Sequence, residues 1–324
     1  MDVPNVDVSS AFIRMALGDR WLEAPNITRI TCRDEFDAAV AAHLPARGIE
    51  LREGVRVKDI HRKGDQFEIE TTGAPVRARA IVGADGVASP VRRCLFDAPA
   101  STFLMAIADC AAPGHFTHTK KAIELDFRLA AKRVPGYRWI FPFLKDGEEW
   151  VNVGICEWRH RSAKELKEDL SLHMQSLELD HQNARFRFFP ERPFSPRNPF
   201  CAPGVILAGE AAGIDPFFGE GISYGIEYGM LTALTLANAL SRNDYSFSDH
   251  MSSLKWSRVG KELMVTWAAS WLFYSRLHML FARAGMSDDY MIYLLGEVLS
   301  GRLRPSKKLA AKMALRVVKN LFKW

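Results

Sequence analysis

Cysteine is scarce in this 324-residue chain: Cys32, Cys94, Cys110, Cys156 and Cys201 form an odd set with no CxxC pair. That usage excludes a disulfide scaffold and a cysteine zinc site, and it fits a reducing compartment. Long apolar runs are missing too. The longest nearly uncharged stretch near the end, Leu263–Ser275, has thirteen residues, whereas a spanning helix needs about 20. Met1-Asp2-Val3-Pro4 opens without a basic segment followed by an apolar one, so no signal peptide is read. Of nine histidines only His115 and His118 stand close together, with no HExxH or HxH set, so no metal site is expected.

What is present is an ordinary globular composition, 48% hydrophobic and 25% charged, long enough for one large or two modest domains. Lys and Arg number 43 against 38 Asp and Glu, but from Arg302 onward there are eight basic residues and no acid. The body is therefore mildly acidic and the tail basic, which argues against nucleic acid as a partner.

After an irregular start, the pattern predicts a helix over Asp34–Leu44 and strands over Val55–Ile60, Phe67–Thr71 and Val76–Ala84. Alternation between Phe96 and Phe200 predicts antiparallel strands with one buried face, and Ala163–Leu179 reads as a helix. A buried strand, Val205–Ala208, leads through a glycine-rich loop into a helix over Ile222–Ser241. Everything from Phe247 onward reads as helical.

Three constellations carry chemistry. The first is Gly209-Glu210-Ala211-Ala212-Gly213, continued by Asp215-Pro216-Phe217-Phe218-Gly219-Glu220-Gly221-Ile222. A strand delivers a carboxylate at its end, where it can accept hydrogen bonds from ligand hydroxyls. The following loop offers backbone N–H groups at a helix N-terminus, a setting that favours an electron-rich ligand edge. The second is Ala84-Asp85-Gly86-Val87-Ala88-Ser89-Pro90-Val91-Arg92, which matches DGxxSxxR. The third is Arg33-Asp34-Glu35-Phe36-Asp37.

Together these resemble the FAD-dependent reductases and monooxygenases built on the glutathione-reductase-like flavin fold, with Glu210 where that superfamily usually has Asp. A fourth segment, Tyr137-Arg138-Trp139-Ile140-Phe141-Pro142 followed by Val151-Asn152-Val153-Gly154-Ile155, resembles the YxWxFP…NVGxG signature of geranylgeranyl reductases. Two departures stand out: Cys156 replaces the second glycine, and Phe143–Trp150 is a longer connection. An aromatic strand that simply packs a core is the competing reading of this segment.

The resemblance, running from about Arg33 to Gly301, implies α/β architecture with an antiparallel β substrate domain and a helical C-terminal cap. It implies FAD as cofactor, held by Arg33, Ala84, Asp85, Gly86, Gly209, Glu210, Pro216, Gly219, Gly221 and Ile222. Tyr137, Trp139 and Phe141 are implied to wall an isoprenoid pocket, with NAD(P)H or ferredoxin as candidate reductants. The implied reaction is reduction of an isoprenoid C=C bond; aromatic hydroxylation and a non-enzymatic, membrane-associated partner subunit are the alternatives. No catalytic residue is assigned.

The superfamily's opening GxGxxG turn, which lets backbone approach a pyrophosphate, occurs nowhere in the sequence. The expectation is an N-terminally incomplete flavin domain, completed by a longer reading frame or by a separate chain. The expected division is 1–95 as the first flavin-domain segment, 96–200 as the substrate domain, 201–243 as the second flavin-domain segment and 244–324 as the helical region.

Two lesser signals remain. Gly221-Ile222-Ser223-Tyr224-Gly225 matches the GxSxG elbow of hydrolases, but Ser223 is expected in a first helical turn and not at a strand end. Gly225, Gly229, Ala233 and Ala237 form a ridge of small residues, expected to pack closely on a sheet. Over 306–324, Leu309, Ala310, Met313, Ala314, Val317, Leu321 and Trp324 share one helical face, and Lys308, Lys312, Arg316, Lys319 and Lys323 the other. That pattern predicts peripheral membrane contact of a cytoplasmic protein, with docking of the apolar face on the protein itself as the competing reading.

Overall fold

The computed structural model describes Val3 and residues 5–96, 102–112, 122–158 and 162–321. His115, His118, Lys323 and Trp324 lie outside the described residues. The chain divides into two compact units. The first gathers Met1–Leu51, Phe103–Phe189 and Trp271–Trp324, and the second Arg52–Thr102 and Pro190–Ser270.

Strands are numbered along the chain. The first unit is built on β1 (Asn5–Met15), β2 (Gly18–Thr31), β7 (Phe103–Ala111), β8 (Ala122–Asp126), β9 (Gly136–Lys145), β10 (Glu148–Glu157) and β11 (Arg185–Glu191). They form one sheet in the order β11-β7-β10-β9-β8-β1-β2. β1 lies parallel to β8, while β1–β2, β8–β9, β9–β10 and β10–β7 are antiparallel.

The expected irregular start is therefore two long strands, and 1–51 belongs with this sheet, not with a flavin-domain segment ending at 95. The cause lies in the pairing. Register slips between Val8 and Ser10, so the buried set changes phase from Val8 to Ala11, Ile13 and Met15. A bulge of this kind erases simple period-two alternation. The hairpin also turns at Ala16-Leu17, which carries no turn signature. The other expected boundaries shift as well: 190–200 joins the second unit, and the C-terminal helices are shared at Ser270/Trp271.

Helices are likewise numbered along the chain. In the first unit α1 (Arg33–Ala41) follows β2, and α3 (Arg128–Ala131) follows β8. α4 (Ala163–Ser176) starts at a capping box in which Ser162 and Glu165 satisfy each other's backbone N–H groups. Its Leu166, Leu170 and Met174 pack against Ala106, Ala108, Val151, Val153 and Ile155 of the sheet. Beside this core, Asp126 is fully buried and accepts two hydrogen bonds from the Arg128 guanidinium, at 2.8 Å each. Arg138 lies 3.8 Å from the same carboxylate and donates to Asp169 at 3.0 Å. Burial, then Arg138, pushes the nearby His173 imidazole down to about 4.

α8 (His278–Ser287), α9 (Asp289–Leu299) and α10 (Lys307–Leu321) complete the unit. Leu309 and Val317 of α10 are buried, and Val317 and Met313 pack with Ala284 and Met291. Arg316 meets Asp288 at 2.6 Å. Leu309, Met313 and Val317 of the apolar stripe are thus seated on the protein itself, while Ala310 and Ala314 of the same stripe are exposed, as are Leu315 and Val318 among Lys308 and Lys319. No helix of the described residues is long and apolar enough to cross a membrane.

The second unit holds two small sheets. β3 (Val57–Lys63), β4 (Gln66–Thr71) and β5 (Val76–Ala78) form an antiparallel ladder. β6 (Ile81–Gly83) pairs parallel with β13 (Val205–Leu207), which pairs antiparallel with β12 (Cys201–Ala202). The single run expected over Val76–Ala84 is therefore two strands in different sheets, broken at Arg79-Ala80. Around them stand α2 (Pro90–Leu95), α5 (Ile222–Arg242), α6 (His250–Trp256) and most of α7 (Arg258–Phe273).

α5 packs through Tyr224, Tyr228, Thr232 and Ala239. Gly229, Ala233 and Ala237 of the expected packing ridge face outward, beside exposed Ile226, Met230 and Leu234. The bulky tyrosines, and not the glycines, make the contact because they fill the space over the short β strands.

Candidate functional site

β6 and β13 run parallel and stop together. Val205 pairs with Ile81 and Leu207 with Gly83, and Ala208 N–H donates to Gly83 C=O at 2.9 Å. The chain after each strand therefore emerges at one end of the sheet, the usual place for ligands in parallel sheets. After β6 comes Ala84-Asp85-Gly86, and after β13 Gly209-Glu210. A Cβ on Gly86, whose φ is +74°, would stand 3.7 Å from Glu210 Oε2, so the two loops touch.

The DGxxSxxR spacing is explained by hydrogen bonds. Asp85 Oδ2 accepts from Val91 N–H at 3.1 Å, and Ser89 Oγ caps α2 by accepting from Arg92 N–H at 2.9 Å. Arg92, 4% exposed, donates to Ala211 C=O at 3.3 Å and ties the first loop to the second. Arg192, 3% exposed, donates to Val87 C=O at 2.8 Å and ties in the chain after β11. Neither arginine was singled out as a site residue from the sequence; only the motif's closing Arg92 carried a signal.

The glycine loop is braced internally. Asp215, 2% exposed, accepts from Phe217 and Phe218 N–H at 2.9 and 3.1 Å, and Gly219 N–H donates to Asp215 C=O at 3.1 Å. Burial pushes the Asp215 carboxyl up to about 6. Pro216 is buried, Gly219 turns the chain at φ +71°, and Gly221 is the N-cap of α5. Glu220 Oε1 accepts from Ser223 N–H at 2.9 Å. Ser223 lies in the first turn of α5 and not at a strand end, so the hydrolase elbow is absent. Ile222 is exposed beside the loop.

Of the expected cofactor residues, Ala84, Asp85, Gly86, Gly209, Glu210, Pro216, Gly219, Gly221 and Ile222 all lie in the second unit, around these loops. Arg33 does not: it opens α1 in the first unit, where it pairs with Asp37 at 2.9 Å on the exposed helix surface.

Tyr137, Trp139 and Phe141 also lie in the first unit, on β9. The motif's two halves are register partners, Trp139 opposite Gly154, Phe141 opposite Asn152 and Tyr137 opposite Cys156. The connection between them is long because the strands are long; the turn itself is only Asp146-Gly147. Tyr137 and Trp139 are buried, and Trp139 stacks toward Phe141 with ring centroids 6.0 Å apart. Trp139 Nε1 donates to Asn152 Oδ1 at 2.8 Å, and Asn152 donates to Asp109 at 2.7 Å.

The second-unit residues fit a flavin. Arg92 Nε and Arg192 Nε and Nη1 are buried donors without a hydrogen-bond partner, and such groups call for an acceptor from outside the chain. A Cβ on Gly209 would stand 3.9 Å from Gly225 Cα, so the start of α5 adjoins the Gly209-Glu210 loop.

No family model matches the chain. It is 27% identical over 269 residues to a digeranylgeranylglycerophospholipid reductase of Methanosarcina acetivorans, covering 75% of this chain and 64% of the relative. To the enzyme of that name from Methanothrix thermoacetophila it is 30% identical over 253 residues, covering 75% and 61%. The chain thus spans less than two thirds of the length of these relatives. Among solved structures, a geranylgeranyl bacteriochlorophyll reductase-like protein of Thermoplasma acidophilum superposes with a TM-score of 0.70 at 22% identity, covering 98% of this chain and 82% of that one. A flavin-dependent brominase gives 0.66 at 16% identity, covering 99% and 84%.

The chain shares the mixed α/β fold of these solved structures. Over three quarters of its length the sequence is similar to digeranylgeranylglycerophospholipid reductases.

Proposed function

We propose that this chain acts in the flavin-dependent reduction of C=C bonds in an isoprenoid lipid. The observation that carries the reading is the common end of β6 and β13, which brings Asp85-Gly86 and Glu210 together beside the α5 N-terminus. Bound FAD would supply hydride there. Glu210 would hold the cofactor's hydroxyl groups, Gly219 and Gly221 would admit a flat ring against backbone, and Arg92 and Arg192 would face its electron-rich edge. The start of α5 favours negative charge arising on the ring.

The same reading includes a strand–helix unit bearing a dinucleotide loop, carried on a longer frame or on a separate chain. The open edge of β6 and the bare apolar side of α5, with Leu234 66% exposed, support it. NAD(P)H or ferredoxin would reduce the flavin. Leu315 and Val318, exposed among lysines on α10, support peripheral attachment to anionic lipid.

Titration of the protein with FAD, followed by flavin fluorescence, tests the proposal. Binding is expected, and Glu210→Ala is expected to raise Kd about 10- to 100-fold, from the roughly 1.5–3 kcal/mol of hydrogen bonds to a charged group. A wild-type protein that leaves the fluorescence unchanged contradicts the assignment. Anaerobic saturation of a polyprenyl substrate by the reduced protein separates the reductase from an oxygen-dependent hydroxylase.

A further inference from the structure

Glu191 closes β11 and belongs to the second unit, where its carboxyl meets the glycine loop: a Cβ on Gly219 would stand 3.1 Å from Glu191 Oε2. Glycine at 219 therefore serves a second purpose, leaving room for this acid. The next residue is Arg192, almost fully buried, with two nitrogens lacking a partner and with Glu210 as its charged neighbour. One corner of the loop thus holds an acid and, independently, buried donors that await an acceptor.

We propose that the Glu191 carboxyl is the proton donor of the alkene reduction. The assignment rests on the flavin reading above and supplies the residue that the motifs leave unnamed. In the step, the alkene π bond is replaced by two C–H bonds. One carbon would take the hydride, with its electron pair, that bound reduced FAD would supply. The other takes the Glu191 proton, and the carboxylate left behind regains a proton from water, since Glu191 is mostly but not fully buried.

The surroundings suit that task. Burial, then the charges of Glu210, Asp215 and Glu220, pushes the Glu191 carboxyl up to about 8, so it keeps its proton at neutral pH. General acids work best when their pKa lies near the working pH. These three carboxylates are the charged groups acting on it from the strand end and the glycine loop, and Arg192 flanks it along the chain.

The test compares wild type, Glu191→Gln and Glu191→Asp. Infrared spectra of the protein without added cofactor should show a neutral-carboxyl band at pH 7 in wild type that is lost in Glu191→Gln. In FAD-loaded protein reduced with dithionite, Glu191→Gln should slow single-turnover alkene saturation about 100- to 10,000-fold. Flavin binding and reduction by dithionite should not change. Glu191→Asp should recover part of the rate, and the wild-type rate should fall as pH rises through about 8. An unchanged infrared band, or an unchanged saturation rate in Glu191→Gln, overturns the proposal. Failure of wild type to take up FAD sinks the parent reading instead, and the infrared comparison still decides whether Glu191 holds the proton.

Discussion

Asp126→Asn is expected to destabilise the first unit by about 3–5 kcal/mol, the usual result of removing one partner from a buried ion pair. The carboxylate is fully buried and accepts both parallel hydrogen bonds from Arg128. Burial opposes its charge, but the hydrogen bonds and positive charge of Arg128 hold the carboxyl below its ordinary range. An amide at this place cannot neutralise Arg128 and Arg138, and it turns N–H donors toward guanidinium donors. At about 2–4 °C per kcal/mol for a unit of this size, the transition should fall by roughly 10 °C in a thermal melt. A fall of less than about 2 °C would mean that the guanidiniums find water and the pair is not isolated.

The pH dependence of the wild type checks the same cluster. The folded pKa of His173 lies near 4 and the unfolded value near 6.5, so the unfolded chain binds the proton first as pH falls. Stability is therefore complete above about 6.5 and is lost progressively toward about 4, with the Asp126 contribution failing below its ordinary pKa of 3.8.

Gly154→Ala is the second large effect. Its Cβ would fall within the indole of Trp139, closer than any two non-bonded carbons approach. Trp139 would have to swing out, breaking its hydrogen bond to Asn152 and unsettling the Asn152–Asp109 bond. Overpacking of a filled core costs about 1–3 kcal/mol and the lost hydrogen bond about 1 more, so a loss of about 2–4 kcal/mol is expected. Denaturant unfolding measures it, and near-ultraviolet dichroism reports the tryptophan. Combining it with Trp139→Leu should recover much of the loss, because the clash needs both side chains. Simple addition of the two penalties would place the strain elsewhere.

The loops were legible in the sequence because their chemistry is local. DGxxSxxR encodes a helix cap and its neighbours within eight residues, and a strand followed by Gly209-Glu210 reads as a strand end wherever it occurs. The aromatic motif was legible as a pattern, while its meaning as cross-strand registry, Trp139 over Gly154, needs two strands side by side. What was hidden depends on pairing or on distance. The bulge after Val8 disguised β1, and the pairing of β1 and β2 with the first unit's sheet hid the membership of Arg33 in that unit. Small residues on α5 suggested a contact face, yet two tyrosines make the contact. Nothing local marks Glu191, whose character arises from burial and then from three acids contributed by other segments.

The parallel pairing of β6 with β13 joins residues 81 and 205, with the whole β7–β11 region strung between them. Closing so wide a loop costs chain entropy before any contact repays it, and three paired residues on each strand repay little. The strand ends that frame the proposed coenzyme site therefore knit late in folding. A ligand that bridges them would act as a clasp, so nascent protein starved of it should linger half-assembled and exposed to proteolysis.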